Sequence, residues 1–138
     1  MALAIQRQYR VVSGDDVVET YTRVEALETA RQIAQQEKHD VTVYDHNGVL
    51  IARVFLYEDS AYVDQYLNDR VAVCEIIVGG KPRIAGTRIP VSIILDYLAQ
   101  GVTAAELISD DFYPDLTLED ILACVAYASN LVQQAAPE

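Results

Sequence analysis

Apolar and polar residues alternate at the start of the chain, which is the pattern of half-buried strands. Tyr9 and Val11 stand two positions apart within a strand predicted over Arg7–Ser13. Gly14-Asp15-Asp16 consists of turn-forming residues, and Val17–Tyr21 predicts a second strand after it. The chain is therefore expected to begin with two consecutive strands.

The next segment changes to helical spacing. Thr22 and Glu25 have the spacing of a capping box, in which each side chain accepts a hydrogen bond from a backbone N–H of the first turn. We expect a helix from this cap to about Lys38. Its predicted inward face consists of Val24, Leu27, Ala30 and Ile33 or Ala34.

Two more strands complete an N-terminal lobe. Val41–Tyr44 and Val49–Tyr57 predict paired strands, because Asn47-Gly48 between them is a strong hairpin signal. The lobe spans residues 1–58 and has the order β-β-α-β-β. A lobe of this size buries little apolar surface by itself, so it is expected to pack on the rest of the chain or on another copy.

An apolar segment leads into the second half. Residues 59–72 predict a helical link, since Tyr62, Tyr66 and Leu67 stand at helical spacing. Val71–Val78 predicts a strand, and Gly79-Gly80 turns the chain into a short partner at Arg83-Ile84.

Three helices are predicted after this hairpin. The first begins near Pro90 and ends at Gly101, the second begins at Thr103, and the third begins at Thr117. The predicted inward face of the third helix is Leu118, Ile121, Leu122, Val125, Ala128 and Val132. The predicted fold class is α+β: a β-α-β lobe, then a trihelical, helix-turn-helix-like domain over residues 73–138 that a short β-hairpin precedes.

The other side of the third helix carries small side chains. A helix with such a face packs closely against another helix, so a homodimer interface is predicted there, with contact to the N-terminal lobe as the alternative. The residues concerned are Ala123, Ala126, Tyr127 and Asn130.

The loop at residues 79–90 concentrates positive charge. The residues predicted to contact a partner are Lys81, Arg83, Thr87 and Arg88, and no Lys or Arg follows Arg88. The residues predicted to shape the loop are Gly79, Gly80, Pro82, Gly86 and Pro90. Two alternatives stay open: the cations point into water, or Arg88 pairs internally with an acidic residue such as Asp96.

Charge is distributed unevenly along the chain. Of the net charge of −11, residues 1–88 carry 10 − 13 = −3, and residues 89–138 carry 0 − 8 = −8. Because a helix in the major groove needs Lys or Arg near the phosphates, this balance argues against confident reading of DNA by the last two helices. Weak, loop-based DNA contact remains compatible with it.

The sequence contains no arrangement of residues that is typical of an enzyme active site. His39 and His46 have no neighbouring ligand cluster, Asp110-Asp111 has the character of a solvated helix end, and no nucleophile motif occurs. Cys74 and Cys124 are expected to be small buried hydrophobes. The sequence therefore predicts no catalytic residue, no metal and no cofactor. It has no signal peptide or membrane span, so a cytoplasmic location is expected.

Residues 73–131 resemble the domain-of-unknown-function family 433, an antitoxin-like family described as VapB-type. The most specific parts of the resemblance are Gly80–Val91, Gly101 and the turn Tyr113–Thr117. The resemblance implies a small helix-turn-helix-like domain, no enzymatic activity and a PIN-like nuclease toxin as partner.

The functional expectation is an antitoxin that neutralises such a nuclease through the basic loop, with weak autorepressor binding to DNA. A non-enzymatic dimeric interaction module without a nucleic-acid role is the alternative.

Overall fold

The computed structural model describes residues 8–135, so Arg7, the predicted start of the first strand, lies outside the described residues. The chain divides into two compact units, residues 1–65 and residues 66–138. Both units contain strands and helices, so the α+β class is confirmed. Within the described range, the helices lack the combination of length and apolar character that crossing a membrane requires.

The first unit is an antiparallel sheet with one helix. The strands are β1 Tyr9–Ser13, β2 Asp16–Thr20, β3 Val41–Tyr44, β4 Leu50–Tyr57 and β5 Ser60–Tyr66. They hydrogen-bond in the order β2-β1-β3-β4-β5, and helix α1, Arg23–Glu37, lies between β2 and β3 in sequence. The predicted helix and the first four strands are confirmed, with ends shifted by at most about two residues.

Helix α1 packs on the sheet through alanines. Ala26, Ala30 and Ala34 are fully buried, whereas Val24, predicted to face inward, is 79% exposed. The prediction was wrong at Val24 because apolar character alone does not fix which side of a helix faces a sheet. Three small side chains at i, i+4 and i+8 let the backbone approach the sheet closely, and this contact set the rotation.

The helix predicted within residues 59–72 is wrong, because β5 occupies Ser60–Tyr66. Glu58 and Asp59 form the connecting turn with φ values of 48° and 67°, as in the two-residue hairpins whose twist matches the strands. The side chain of Gln35 fastens this turn: it donates to the carbonyl of Asp59 and accepts from the amide of Ala61. The tyrosine spacing suited both a helix and a strand, and this contact from α1 favours the strand.

The second unit opens with a short strand pair. Strand β6, Val71–Val73, pairs antiparallel with β7, Arg83–Ile84. The predicted strand to Val78 is wrong beyond β6, because the chain bends at Cys74 and enters a 3-10 turn at Val78–Gly80. Val78 has a φ of 50°, a left-handed conformation that β-branched residues rarely adopt and that is incompatible with the strand predicted to reach it.

Three helices follow β7: α2 Val91–Ala99, α3 Ala104–Leu107 and α4 Leu118–Ala135. The predicted cap at Thr103 is a full capping box with Glu106. The cap before α4 is reciprocal as well, since the Thr117 amide donates to the Asp120 carboxylate and the Asp120 amide donates to Thr117 Oγ1. The sequence therefore located all three helix starts.

The rotation of α4 differs from the prediction. Its buried residues are Ile121, Ala123 and Cys124. Four residues predicted to face inward are instead exposed: Leu118 by 47%, Leu122 by 56%, Val125 by 43% and Val132 by 69%. Two polar contacts near the start of α4 fix the observed side. Asn68 donates to the carbonyl of Ala123 at 3.0 Å, and Arg70 pairs with Asp120 at 3.1 Å.

Candidate functional site

Backbone hydrogen bonds close the basic loop into a rigid shape. The amide of Val91 donates to the carbonyl of Pro82 at 3.0 Å, and the amide of Ile84 donates to that of Ile89 at 3.0 Å. At the tip, the amide of Thr87 donates to the carbonyl of Ile84 at 3.1 Å. The loop is therefore a small closed hairpin whose backbone is internally satisfied.

Glycines supply the left-handed positions that this path requires. Gly86 has a φ of 79° and is the third residue of the tip turn, where residues with a Cβ are strained. Gly79 and Gly80 also have positive φ values, at the approach to Lys81. Pro82 belongs to the closing hydrogen bond, and Pro90 forms a β-bridge with Arg83.

Two of the four residues proposed for partner contact lie inside the loop. Arg83 is only 2% exposed, and its Nε donates to the carbonyl of Thr87 at 2.9 Å. Thr87 Oγ1 donates to the carbonyl of Ile84 at 2.7 Å and accepts from the amide of Ile89 at 3.0 Å. Both side chains therefore stabilise the loop in this conformation.

The other two residues, Lys81 and Arg88, are exposed. Neither side chain makes a hydrogen bond or an ion pair within residues 8–135, and the pairing of Arg88 with Asp96 that the sequence left open does not occur there. The two positive charges are thus available to a ligand or a partner.

Arg88 lies at the rim of a groove of about 480 Å³. One wall is the tip of the basic loop and the other is the segment that leads from α3 towards α4. The lining residues are Gly86, Thr87, Arg88, Ile89, Phe112, Tyr113, Pro114, Asp115 and Leu116. We call this the loop groove.

The second wall of the loop groove is held by contacts to the helices. The Phe112 ring meets the Tyr97 ring edge-on, with 5.0 Å between ring centres. The amide of Tyr113 donates to the carbonyl of Leu107 at 2.9 Å, and Leu116 is buried beneath the groove. Both walls are therefore anchored, so the groove is largely pre-formed.

The chemistry of the loop groove suits recognition of a protein segment. Arg88 offers five N–H donors to a carboxylate, the exposed Asp115 offers an acceptor, and the half-buried Phe112 and Tyr113 offer aromatic surface. Across residues 8–135, no group of three or more His, Cys, Asp or Glu side chains is placed to hold a metal.

Cys124 lies in the core of the second unit and is fully buried. Burial, assisted by the negative charge of Asp120, raises the pKa of this thiol to about 11. Its reactive thiolate form is therefore suppressed at neutral pH.

The residues predicted for a dimer interface differ in exposure. Ala123 is buried, Ala126 and Asn130 are exposed, and Tyr127 is half-buried. Tyr127 lines a second, mainly apolar groove of about 410 Å³ together with Lys81, Pro82, Val91, Ser92, Leu95 and Leu131.

Sequence reasoning did not assign Phe112, Tyr113 and Asp115 to a site. The sequence offered Tyr113 and Asp115 only as part of the turn Tyr113–Thr117 in the family resemblance. The adjacent aromatic pair before a proline was a usable signal, because half-exposed aromatic residues on a fixed turn are typical of binding surfaces.

Searches of the curated proteins and of the solved structures found no match to the chain. The family comparison did find one, and it confirms the resemblance to the domain-of-unknown-function family 433. Residues 72–128, which include the basic loop and both walls of the loop groove, match the family model described as "Protein of unknown function (DUF433)".

Proposed function

We propose that this chain is a non-enzymatic protein-binding module that acts as the antitoxin of a toxin–antitoxin pair. The partner is a PIN-like nuclease, and Arg88 at the rim of the loop groove makes the central contact. The observation that carries this proposal is a difference between the two arginines of the loop. Arg83 is bonded inside the loop, whereas Arg88 is exposed on a fixed backbone.

The chemistry of the partner follows from the resemblance to antitoxin-like proteins. A PIN-like nuclease holds Mg²⁺ with a cluster of carboxylates, and a guanidinium binds carboxylates through paired, charge-assisted hydrogen bonds. In the proposed complex, Arg88 enters that cluster and displaces the metal. The closed loop favours this contact because its backbone loses little conformational freedom on binding.

Binding to DNA is a weaker component of the proposal. Helix α3 has only four residues, and the exposed Glu119 lies in the first turn of α4, where a recognition helix would approach phosphates. If the second unit binds DNA, we therefore expect Lys81 and Arg88 to make the contacts. Because so few cations take part, the logarithm of the binding constant should fall with the logarithm of salt concentration with a slope of about −2 per copy.

A titration of nuclease activity tests the main proposal. The product of the adjacent reading frame, which the proposal expects to be a PIN-like nuclease, is purified, and its cleavage of RNA is measured against increasing amounts of this chain. Loss of a charge-assisted pair costs about 1.5–3 kcal/mol, so Arg88→Ala should raise the inhibition constant roughly 10-fold to 100-fold. Lys81→Ala should have a smaller effect, because a lysine contact lacks the paired geometry.

Arg53→Ala is the matched control, because Arg53 is an exposed arginine on β4 of the first unit. It removes one positive charge of the same kind far along the chain from the loop and should leave inhibition unchanged. If Arg88→Ala inhibits the nuclease as well as the wild-type chain does, the proposed contact is wrong.

The alternative is an interaction module without a nucleic-acid role, and the exposed apolar side chains of α4 favour it. Fluorescence anisotropy with the chain's own promoter DNA separates the two functions. Salt-dependent binding that Lys81→Ala and Arg88→Ala weaken would support the autorepressor component. Equal binding by the wild type and by both variants would contradict it.

A further inference from the structure

Helix α4 carries an exposed apolar stripe at heptad spacing. Leu118, Leu122, Val125, Ser129 and Val132 follow one another at steps of four, three, four and three residues. This is the a/d pattern with a period of 3.5 residues, by which helices pack side by side along a narrow seam. All five residues are exposed, and we call them the α4 seam.

The seam lies apart from the face that holds α4 in the second unit. The buried residues Ile121, Ala123 and Cys124 contribute to the core with α2 and α3. Val132 and Leu122 remain 69% and 56% exposed, although they are aliphatic. Scattered exposed aliphatic residues are ordinary on a protein surface, but four in a heptad register on one helix are characteristic of an interface.

From this pattern we infer that the α4 seam binds the α4 seam of a second copy of the chain, with the two helices antiparallel. A heptad seam of leucine and valine is self-complementary, because each residue can fill the space between residues of an identical stripe. Ser129 is the one polar seam residue, and a single polar a-type position is a feature that fixes the register of a helix pair.

The charges on α4 select the direction of packing. Its charged residues are Glu119 and Asp120, both in the first turn, and no charge follows on the helix. Parallel packing would place the two Glu119 carboxylates and the two helix N-termini side by side. Antiparallel packing places each Glu119 beside the uncharged last turn of the other copy and opposes the helix dipoles.

The size of the seam predicts a weak dimer. Stable complexes bury about 20–30 residues on each side, and the seam with its flanking positions supplies fewer. We therefore expect a dissociation constant on the order of 10 µM, which makes association visible as concentration rises from about 1 to 200 µM.

Sedimentation velocity across this range tests the inference on the full chain. The wild type should shift from monomer to dimer, and Val125→Asp should weaken association at least tenfold because two carboxylates would meet near the centre of the interface. Asn130→Asp is the matched control: it adds the same carboxylate to the same helix at an exposed position outside the seam. It should dimerise as the wild type does.

Three results would overturn the inference. They are a wild type that stays monomeric at 200 µM, a Val125→Asp variant that dimerises like the wild type, and an Asn130→Asp variant that is equally impaired. The last of these would place the interface on the side of α4 that includes Ala126 and Asn130.

Disulfide trapping tests the antiparallel direction. Val125 is the midpoint of the seam, so Val125→Cys brings like positions together and should cross-link readily under mild oxidation. Leu118→Cys should not, because its counterpart lies at the far end of the pair. The native thiols Cys74 and Cys124 are buried and give a low background in the wild-type control. Equal cross-linking at both positions, or none at Val125, would contradict the antiparallel pair.

Discussion

Replacing Arg83 by methionine separates the structural cation of the loop from the exposed one. Methionine keeps much of the apolar stem of arginine but removes the guanidinium. The Nε donor to the Thr87 carbonyl, at 2.9 Å, is lost with it. Because Arg83 is 2% exposed, water does not readily replace that donor. We expect the loop to open more easily in Arg83→Met.

The expected cost follows from the chemistry of the bond. A hydrogen bond from a charged group contributes about 1.5–3 kcal/mol, and removing one partner leaves the other partly unsatisfied. Loss of this one bond is therefore expected to cost about 1–3 kcal/mol. Arg88→Met changes an exposed side chain without internal partners in the described range and should stay within about 0.5 kcal/mol.

Hydrogen exchange measures this locally. The amides of Ile84 and Thr87 are bonded within the loop, and each 1.4 kcal/mol of lost protection speeds their exchange tenfold. Arg83→Met should accelerate both amides roughly 5-fold to 100-fold, whereas Arg88→Met should leave them unchanged. If Arg83→Met exchanges like the wild type yet abolishes the proposed inhibition of a PIN-like nuclease, Arg83 is a recognition residue and the structural role assigned to it is wrong.

Three further results are expected. Gly86→Ala should destabilise the loop by about 1 kcal/mol, measured by the same exchange experiment, because alanine is strained at a φ of 79°. Native Cys124 should react with a thiol reagent at pH 8 far more slowly than in the unfolded chain, since its pKa is raised to about 11. Asp45 should stabilise the β3–β4 hairpin at neutral pH but not in acid. Its pKa lies below the ordinary 3.8, chiefly because the amide of Val49 donates a hydrogen bond to its carboxylate. The stabilisation is therefore complete above pH 3.8 and is lost as the pH falls through the lowered pKa. An NMR titration of wild type and Asp45→Asn follows this loss.

The sequence predicted best those features that neighbouring residues determine. The caps at Thr22, Thr103 and Thr117 and the hairpin at Asn47-Gly48 are formed by groups within a few positions of one another. Their geometry is therefore nearly independent of the rest of the fold. Strand β5 was missed because its turn has no glycine and is fastened by Gln35 from α1, which local patterns do not reveal.

Helix rotation was harder to predict because it depends on the surface that a helix meets. Helix α4 has apolar residues on more than one side, and a count of hydrophobic positions favours the larger leucine and valine side chains. The second unit instead buries Ala123 and Cys124, whose small volume permits close packing, and Asn68 bonds to the backbone at that face. The larger side chains are left on the surface, where they form the α4 seam.

The two arginines of the loop also acquire different roles only in the folded chain. Arg83 and Arg88 are identical in sequence terms, and both lie between glycine and proline residues. Their difference arises from the closed hairpin: Arg83 belongs to the paired strand β7 and bonds across the loop to Thr87, whereas Arg88 follows the tip turn and has no strand partner. The number of cations in the loop sequence is therefore larger than the number that the folded loop exposes to a partner. In this chain the bond from Arg83 to Thr87 joins two positions of the loop and keeps that guanidinium inside it, so of these two arginines only Arg88 is exposed to a partner.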